Sequence, residues 1–295
     1  MTKKMLFIYN PRAGRGLIRE QLSDIVEEFT SNDMEVVVHP TRKARDATMT
    51  VAMRGKNFDL IVCSGGDGTL DEVVTGMMAG ELSVPIGYIP AGSTNDYAMS
   101  VGITNEFMDA ARDICRGHVR EMDVGRLNEG YFIYVAAFGA FTDVSYRTSQ
   151  ESKNLLGHLA YLLEGMKALP SLKGWKMTFR SKEMSGEGEF LYGMITNSNS
   201  VGGFKGITGK NVDLNDGLFE VTLITVTDNL LELPAIAGAL LNGDRNPHII
   251  TFKTSHLEFE AEELVPWTTD GEYGGTYRTI VVENIQGALP LIVPE

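Results

Sequence analysis

Leu60-Ile61-Val62-Cys63-Ser64-Gly65-Gly66-Asp67-Gly68-Thr69-Leu70 is an apolar run that stops in a glycine-rich loop and reopens toward a helix. Residues 60–63 have the length and uninterrupted apolar character of a strand buried on both faces. Residues 70–78 return to helical spacing directly behind the loop. The same handover occurs on either side. Upstream, residues 5–9 read as a strand, and Leu17, Leu22, Ile25, Val26 and Phe29 mark one face of the helix that follows. Residues 35–38 and the helical stretch 44–54 form a second pair, and residues 85–89 with a helix opening near Thr94 form a fourth. Strands alternating with helices predict an α/β domain with a parallel sheet covered on both faces.

Beyond Met122 the pattern changes. Short strand candidates at 131–137, 175–180, 190–196, 219–225, 248–252, 257–260 and 279–282 are separated by Gly, Asn and Asp turns. Such spacing predicts a mainly-β domain, an antiparallel sandwich or barrel. Helical stretches at 154–169 and 230–241 interrupt it. The expected organisation is an α/β nucleotide-binding domain over residues 1–122 and a β-rich substrate domain over 123–295, with the last segment returning to the first.

Three loops fall where a strand hands over to a helix: Asn10-Pro11-Arg12-Ala13-Gly14, Gly65-Gly66-Asp67-Gly68-Thr69 and Gly92-Ser93-Thr94-Asn95-Asp96. In an open parallel sheet, ligands bind beyond the carboxyl ends of the strands. Glycines let backbone N–H groups approach a phosphate, and a helix N-terminus adds partial positive charge. Any one of these loops is equally well a tight turn. Three at one topological position point to a cradle for a nucleotide polyphosphate. No GxxxxGK[ST] and no correctly spaced GxGxxG is present, so neither a Walker loop nor a dinucleotide fingerprint explains them. Asp67 and Asp96 are candidate Mg²⁺ ligands. Either is also a natural helix-initiating residue, and the two roles are compatible.

The bulk composition narrows the setting. A net charge of −13 is the wrong sign for broad nucleic-acid binding. Two cysteines that form no CxxC pair suit a reducing, cytoplasmic location. Residues 5–9 are too short for a signal-peptide core, and no run reaches the length of a spanning helix. The chain is expected to meet a membrane only peripherally. Residues 147–182 hold seven Lys/Arg against two Asp/Glu, and a leucine-rich helical stretch lies within them. That window is a candidate docking element for anionic lipid. The five histidines form no close ligand pair, and Cys63 reads as core.

The Gly65–Thr69 segment resembles the GGDGT signature of the diacylglycerol kinase catalytic family, which includes sphingosine and ceramide kinases. Asn10-Pro11 through Gly14 and Gly92 through Tyr97 match its NPxxG and GTxNDxA patterns, with Ser93 where Thr is commoner. GGDGT alone is shared with NAD kinases and phosphofructokinases; the three loops together are far more specific. Length, motif order and the β-rich second half resemble the soluble bacterial diacylglycerol kinases end to end.

The resemblance implies a kinase that uses ATP and Mg²⁺ to phosphorylate diacylglycerol at a membrane surface, giving phosphatidate. It implies that Asn10, Pro11, Arg12, Ala13, Gly14, Thr41, Gly65, Gly66, Asp67, Gly68, Thr69, Leu70, Asp71, Glu72, Thr94, Asn95 and Asp96 line the nucleotide site. Asp123 would join Asp67 and Asp96 in a water-mediated network around Mg²⁺. Asp213, Asp216 and Leu218 would hold a structural Mg²⁺, although Asn215-Asp216-Gly217 is equally a hairpin turn. Asp270-Gly271-Glu272 would contain the catalytic base, with Asp270 the first choice and Glu272 the second. The bacterial relatives imply a homodimer. Competing readings are another hydroxyl acceptor (a sphingoid base, another glycerolipid or NAD) and a nucleotide-binding regulator without activity. Against NAD stands the lack of a clear Asn-Glu substrate motif in the second domain; against the regulator, the presence of Asp67, Asp96, Asp270 and Glu272 together.

Overall fold

The computed structural model describes residues 2–14, 16–139, 173–205, 207–209, 212–227 and 229–295. The helical stretch expected at 154–169, and with it the leucine face of the docking element, lies outside these residues. The chain divides into two compact units, Met1–Val124 with Gln286–Glu295, and Gly125–Ile285.

The first unit alternates β1 (Lys3–Tyr9), α1 (Ile18–Ser31), β2 (Met34–Pro40), α2 (Asp46–Arg54), β3 (Leu60–Gly65), α3 (Asp67–Ala79) and β4 (Ile86–Pro90). Then come α4 (Asp96–Val101), α5 (Phe107–Arg116) and the start of β5 (Val119–Leu127). β1 pairs with β2 and β3, and β3 with β4, all in parallel. At the far edge Leu291, near the end of β15 (Glu272–Ile292), pairs in parallel with Ile86 of β4. β3 and β4 are buried along their whole length, which is why their sequence carries no charged residue and its one tyrosine hydroxyl, of Tyr88, donates to Gly65 O. α1 lays Ile18, Ile25 and Phe29 on β1, with the Phe7 and Phe29 rings edge to face at 5.9 Å. The sequence reading left α5 unassigned. Its buried Ala110, Ala111 and Ile114 are small or spaced to pack on β4, where Gly87 has no side chain to oppose Ile114.

The second unit is strand-rich. Its main strands are β6 (Gly130–Phe132), β7 (Val135–Gly139), β8 (Trp175–Arg180), β9 (Ser185–Thr196), β12 (Phe219–Thr225), β13 (Ile249–Thr254), β14 (His256–Thr269) and most of β15. Two short strands, β10 (Ser200–Val201) and β11 (Phe204–Lys205), form a separate hairpin. Helix α6 (Leu233–Asn242) follows a short 3₁₀ turn. The pairings run β13-β12-β9-β7-β14-β15 and are antiparallel, with β8 also bridging β9 and β14. The end of β5 pairs with β6, and Phe132 of β6 stacks on Phe219 of β12 at 5.4 Å. These strands close over one apolar core that includes Phe138, Phe179, Phe190, Phe259 and Trp267.

The expected strand at 131–137 is two strands, broken at Ile133-Tyr134. The reason is a side chain far along the sequence, Asp270, which takes the backbone N–H groups at the break.

Candidate active site

The three glycine loops meet at the carboxyl ends of β1, β3 and β4. Asn10 N–H donates to Ser64 O at 2.8 Å, and Ala91 N–H donates to Gly65 O at 2.7 Å, so each loop springs from its neighbour's strand end. The contacts leave no room for side chains. A Cβ on Gly14, whose φ is +54°, would sit 2.5 Å from Ala91 O, and one on Gly92 would sit 2.7 Å from Gly66 Cα. Asn10 closes the first loop from inside: its Oδ1 accepts Arg12 N–H, and its Nδ2 donates to Thr69 Oγ1 at 3.3 Å. In the third loop Asn95, at φ 55°, returns its Oδ1 to Gly92 N–H at 2.9 Å. Short polar Asn tolerates that left-handed backbone and satisfies the turn at once.

Asp67 opens α3 and reaches to the start of α4. Its Oδ2 accepts Asp96 N–H at 3.1 Å, and its Oδ1 accepts Tyr97 N–H at 3.3 Å. Burial, and then the neighbouring Asp96 charge, push the Asp67 carboxyl up to about 6 against those two N–H donors. The Asp67 carboxylate thus opens one helix, caps the next and carries the repulsion of the Asp96 charge. A divalent cation would relieve that tension.

The other expected nucleotide residues divide. Pro11, Arg12, Ala13, Gly68 and the exposed Thr94 belong to the loops themselves. Thr41 N–H donates to Tyr9 O, which places Thr41 beside the first loop. Leu70 is fully buried in the core behind the loop. Glu72 braces α2: its two carboxylate oxygens accept Arg45 N–H at 2.8 Å and Ala47 N–H at 3.1 Å. Its neighbour Asp71 is half-buried on the same helix. Cys63 is wholly buried and burial pushes its thiol up, so it is core and no nucleophile.

Asp123 is fully buried, and its Oδ1 accepts Gly287 N–H at 2.9 Å, tying β5 to the C-terminal segment of the first unit. Among the described residues no three His, Cys, Asp or Glu side chains converge to hold a metal. At the second expected metal position, Asp216 Oδ1 accepts Leu218 N–H and Oδ2 lies beside Lys253.

In the second unit, Asp270 and Gly271 have φ of 51° and 81° and form a two-residue turn between β14 and β15, with Thr269 opposite Glu272. The turn reading of Asp-Gly is thus realised, and the Asp side chain does something further. Its Oδ2 accepts Ile133 N–H at 2.7 Å, and its Oδ1 accepts Tyr134 and Val135 N–H at 3.0 and 2.9 Å. Asp270 is 5% exposed; Glu272 is exposed.

Sequence reading missed a pair beside Thr41. Arg42 forms a two-point contact with Asp46, Nε to Oδ2 at 3.2 Å and a terminal nitrogen to Oδ1 at 3.1 Å. Asp46 is buried at the start of α2, and its bond with Arg42 holds its carboxyl well below the usual range. An Arg four residues before an Asp at a helix start was the available signal. The basic docking window is also reshaped by the fold. Lys173 contacts Glu263 at 2.5 Å, while on β8 Lys176 stands opposite Glu189 and Arg180 opposite Glu258. Each of these three basic residues thus stands beside a glutamate of β9 or β14.

Residues 4–127 match the diacylglycerol kinase catalytic domain family. The chain is 35% identical to a diacylglycerol kinase of Bacillus subtilis strain 168 over 277 residues, covering 92% of this chain and 91% of the relative. It is 32% identical to the diacylglycerol kinase of Staphylococcus carnosus strain TM300, covering 93% and 90%. A solved structure of a diacylglycerol kinase from Bacillus anthracis strain Sterne superposes with a TM-score of 0.78 at 22% identity, covering 99% of this chain and 97% of that one, a likeness of fold. The glycine loops, the paired Asp67 and Asp96 and the end-to-end likeness lead to one conclusion: the chain belongs to the diacylglycerol kinase family.

Proposed function

We propose that this chain transfers a phosphoryl group from Mg²⁺-bound ATP to the hydroxyl of diacylglycerol, giving phosphatidate. The observation that carries this reading is the mutual contact of three glycine loops around the Asp67–Asp96 pair, with backbone so close that side chains are excluded. Phosphoryl transfer asks mainly for positioning and charge neutralisation. The loop N–H groups and the N-terminus of α3 supply fixed partial positive charge for the phosphates. Mg²⁺, when bound, supplies the neutralisation that backbone dipoles alone cannot, and Asp67 and Asp96 are the residues that would hold it. We read the strand-rich unit as a sandwich that receives the lipid at a membrane surface. Among the described residues no helix is long and apolar enough to cross a membrane. A cytoplasmic, peripherally bound homodimer fits that reading.

For the base, Asp270 and Glu272 divide the requirements. Three N–H donors keep the buried Asp270 carboxylate fixed beside the turn. Glu272 is exposed and free to swing. We assign the base to Asp270 and the orientation of the acceptor hydroxyl to Glu272. Glu272→Gln is then expected to lower kcat/KM for the lipid about tenfold, within the range of a lost hydrogen bond to a charged group, with ATP binding unchanged. Loss of more than a thousandfold would move the base to Glu272.

The decisive assay is transfer of labelled phosphate from ATP to diacylglycerol in mixed micelles with Mg²⁺. Labelled phosphatidate supports the proposal. No product from folded, ATP-binding protein overturns it and directs the search to sphingoid bases, NAD and then a regulatory role.

The Asp67 environment also predicts a pH dependence. Its carboxyl is raised from 3.8 to about 6, so ionising it disfavours the folded state. From this group alone, stability falls as pH rises through that window and is level above it. Cation affinity runs the other way, because the ligand must be deprotonated. The KM for Mg-ATP is expected to rise as pH drops below about 6, and titrating it on both sides of that value checks the sign.

A further inference from the structure

The turn Asp213-Leu214-Asn215-Asp216-Gly217-Leu218 is where the family resemblance expects a structural divalent cation, yet its surroundings are arranged around a cation of the chain's own. Asp216 Oδ1 accepts Leu218 N–H at 3.0 Å, which closes the turn without a metal. Asp216 Oδ2 lies 3.4 Å from Lys253 Nζ, and the same ammonium is 2.8 Å from Glu220 Oε1. Glu220 and Lys253 are direct cross-strand partners on β12 and β13, so the ladder register fixes the lysine beside the turn. The Glu220 side chain is 7% exposed and that of Lys253 35%. Asp213, the other acidic residue of the turn, is exposed.

Two carboxylates brought together at a partly buried position need a counter-charge, and removing it leaves charge that neither water nor protein compensates. Mg²⁺ meets such a need only with a near-octahedral shell of oxygens at about 2.1 Å. An ion on Asp216 would have the Lys253 ammonium as a like-charged neighbour on the same carboxylate. Lysine is suited to the position: a compact point charge with three donors on a flexible stem can serve two acceptors at once.

We propose that Lys253 is the resident cation of this turn, clamping it to the β12–β13 pair in place of a metal, so that the second unit is held without a divalent ion. The Lys253 ammonium joins residue 216 to residue 220. The metal-binding sequence pattern is thereby retained as a turn, with its charge requirement met from the adjacent strand.

The test is thermal unfolding of the full chain, free of nucleotide, in EDTA and in MgCl₂, with every comparison, wild type at residue 253 included, made in an Asp67→Asn background so that a cation held by Asp67 and Asp96 does not contribute. Wild-type midpoints are expected to agree within about 1 °C, and Lys253→Met in EDTA to fall by about 5 °C, as for loss of a clamp that covers part-buried charge. A wild-type midpoint that rises by several degrees with Mg²⁺ overturns the proposal. So does a Lys253→Met midpoint equal to wild type in EDTA. Should Lys253→Met yield no folded protein, Lys253→Arg keeps the charge and is scored alike. A folded, Mg²⁺-indifferent Lys253→Arg supports the resident cation, and a Mg²⁺-responsive one overturns it.

Discussion

Asp270→Ala is expected to abolish detectable lipid phosphorylation and to lower the unfolding midpoint in the same protein. The side chain is the acceptor for three buried backbone N–H groups at the break between β6 and β7. Each donor left unsatisfied costs about 1–3 kcal/mol. Part of that is recovered by relaxation or entering water, so a loss of about 3–6 kcal/mol and roughly 6–12 °C is expected for a chain of this size. Loss of a base adds about 10²–10⁴-fold in rate on the fraction that remains folded. Asp270→Asn is a poor control. Its amide keeps one acceptor oxygen and turns an NH₂ toward a backbone N–H, so it damages the scaffold along with the chemistry. Measuring midpoint and kcat together separates the two roles. Lost activity at an unchanged midpoint contradicts the anchoring geometry, and a lowered midpoint with normal kcat in the folded fraction contradicts the base.

Asp67→Asn should show the opposite signature: activity down by about 10²–10⁴-fold, as for removal of a charge-stabilising group, with a midpoint equal to or above wild type. A carboxyl raised from 3.8 to about 6 costs about 3 kcal/mol when ionised at neutral pH. The amide removes that cost and the repulsion from Asp96. It gives up about 1 kcal/mol for one of the two N–H bonds from Asp96 and Tyr97. A net gain of about 2 °C or more follows. Differential scanning calorimetry beside the micelle assay decides it. A midpoint that falls by several degrees would mean that the pair is already compensated, and the argument for a cation there would fail.

How far the sequence could be read depended on the range of the interactions. Residues 5–9, 35–38 and 85–89 stand within a residue or two of β1, β2 and β4, and 175–180 and 219–225 coincide with β8 and β12. β1, β2 and β4 stop at Asn10, Pro40 and Pro90, and β8 and β12 begin just after Gly174 and Gly217, so local chemistry decides. α5 is short and charge-rich, and its fully buried face is only Ala110, Ala111 and Ile114, the last seated against Gly87. β14 and β15 were read as four-residue pieces because glutamates, glycines and a proline interrupt 14- and 21-residue strands. There the ladder overrides propensity.

The candidate site divides in the same way. The loops of the first unit are legible because strand, glycine and helix start are adjacent in sequence. The grip of Asp270 on residues 133–135, of Asp123 on Gly287 and of Lys253 on Asp216 each joins residues dozens to more than a hundred positions apart. No window of sequence contains both partners. Lys173 and Lys176, neighbours in a basic stretch of the sequence, likewise stand beside glutamates that are distant along the chain, Glu263 and Glu189.

The last strand has a consequence for how the protein is made. Leu291 completes the edge of the first unit's sheet beside Ile86, while residues 125–285 belong to the other unit. On a ribosome adding about 5–20 residues per second, β4 waits roughly 10–40 s for that neighbour. During the wait, one margin of a buried, wholly apolar strand is an open template for any passing chain. The newborn protein is then most vulnerable to aggregation after its nucleotide loops have emerged and before its final ten residues have, and a chaperone that shields this margin would raise yield more than one acting on the finished fold.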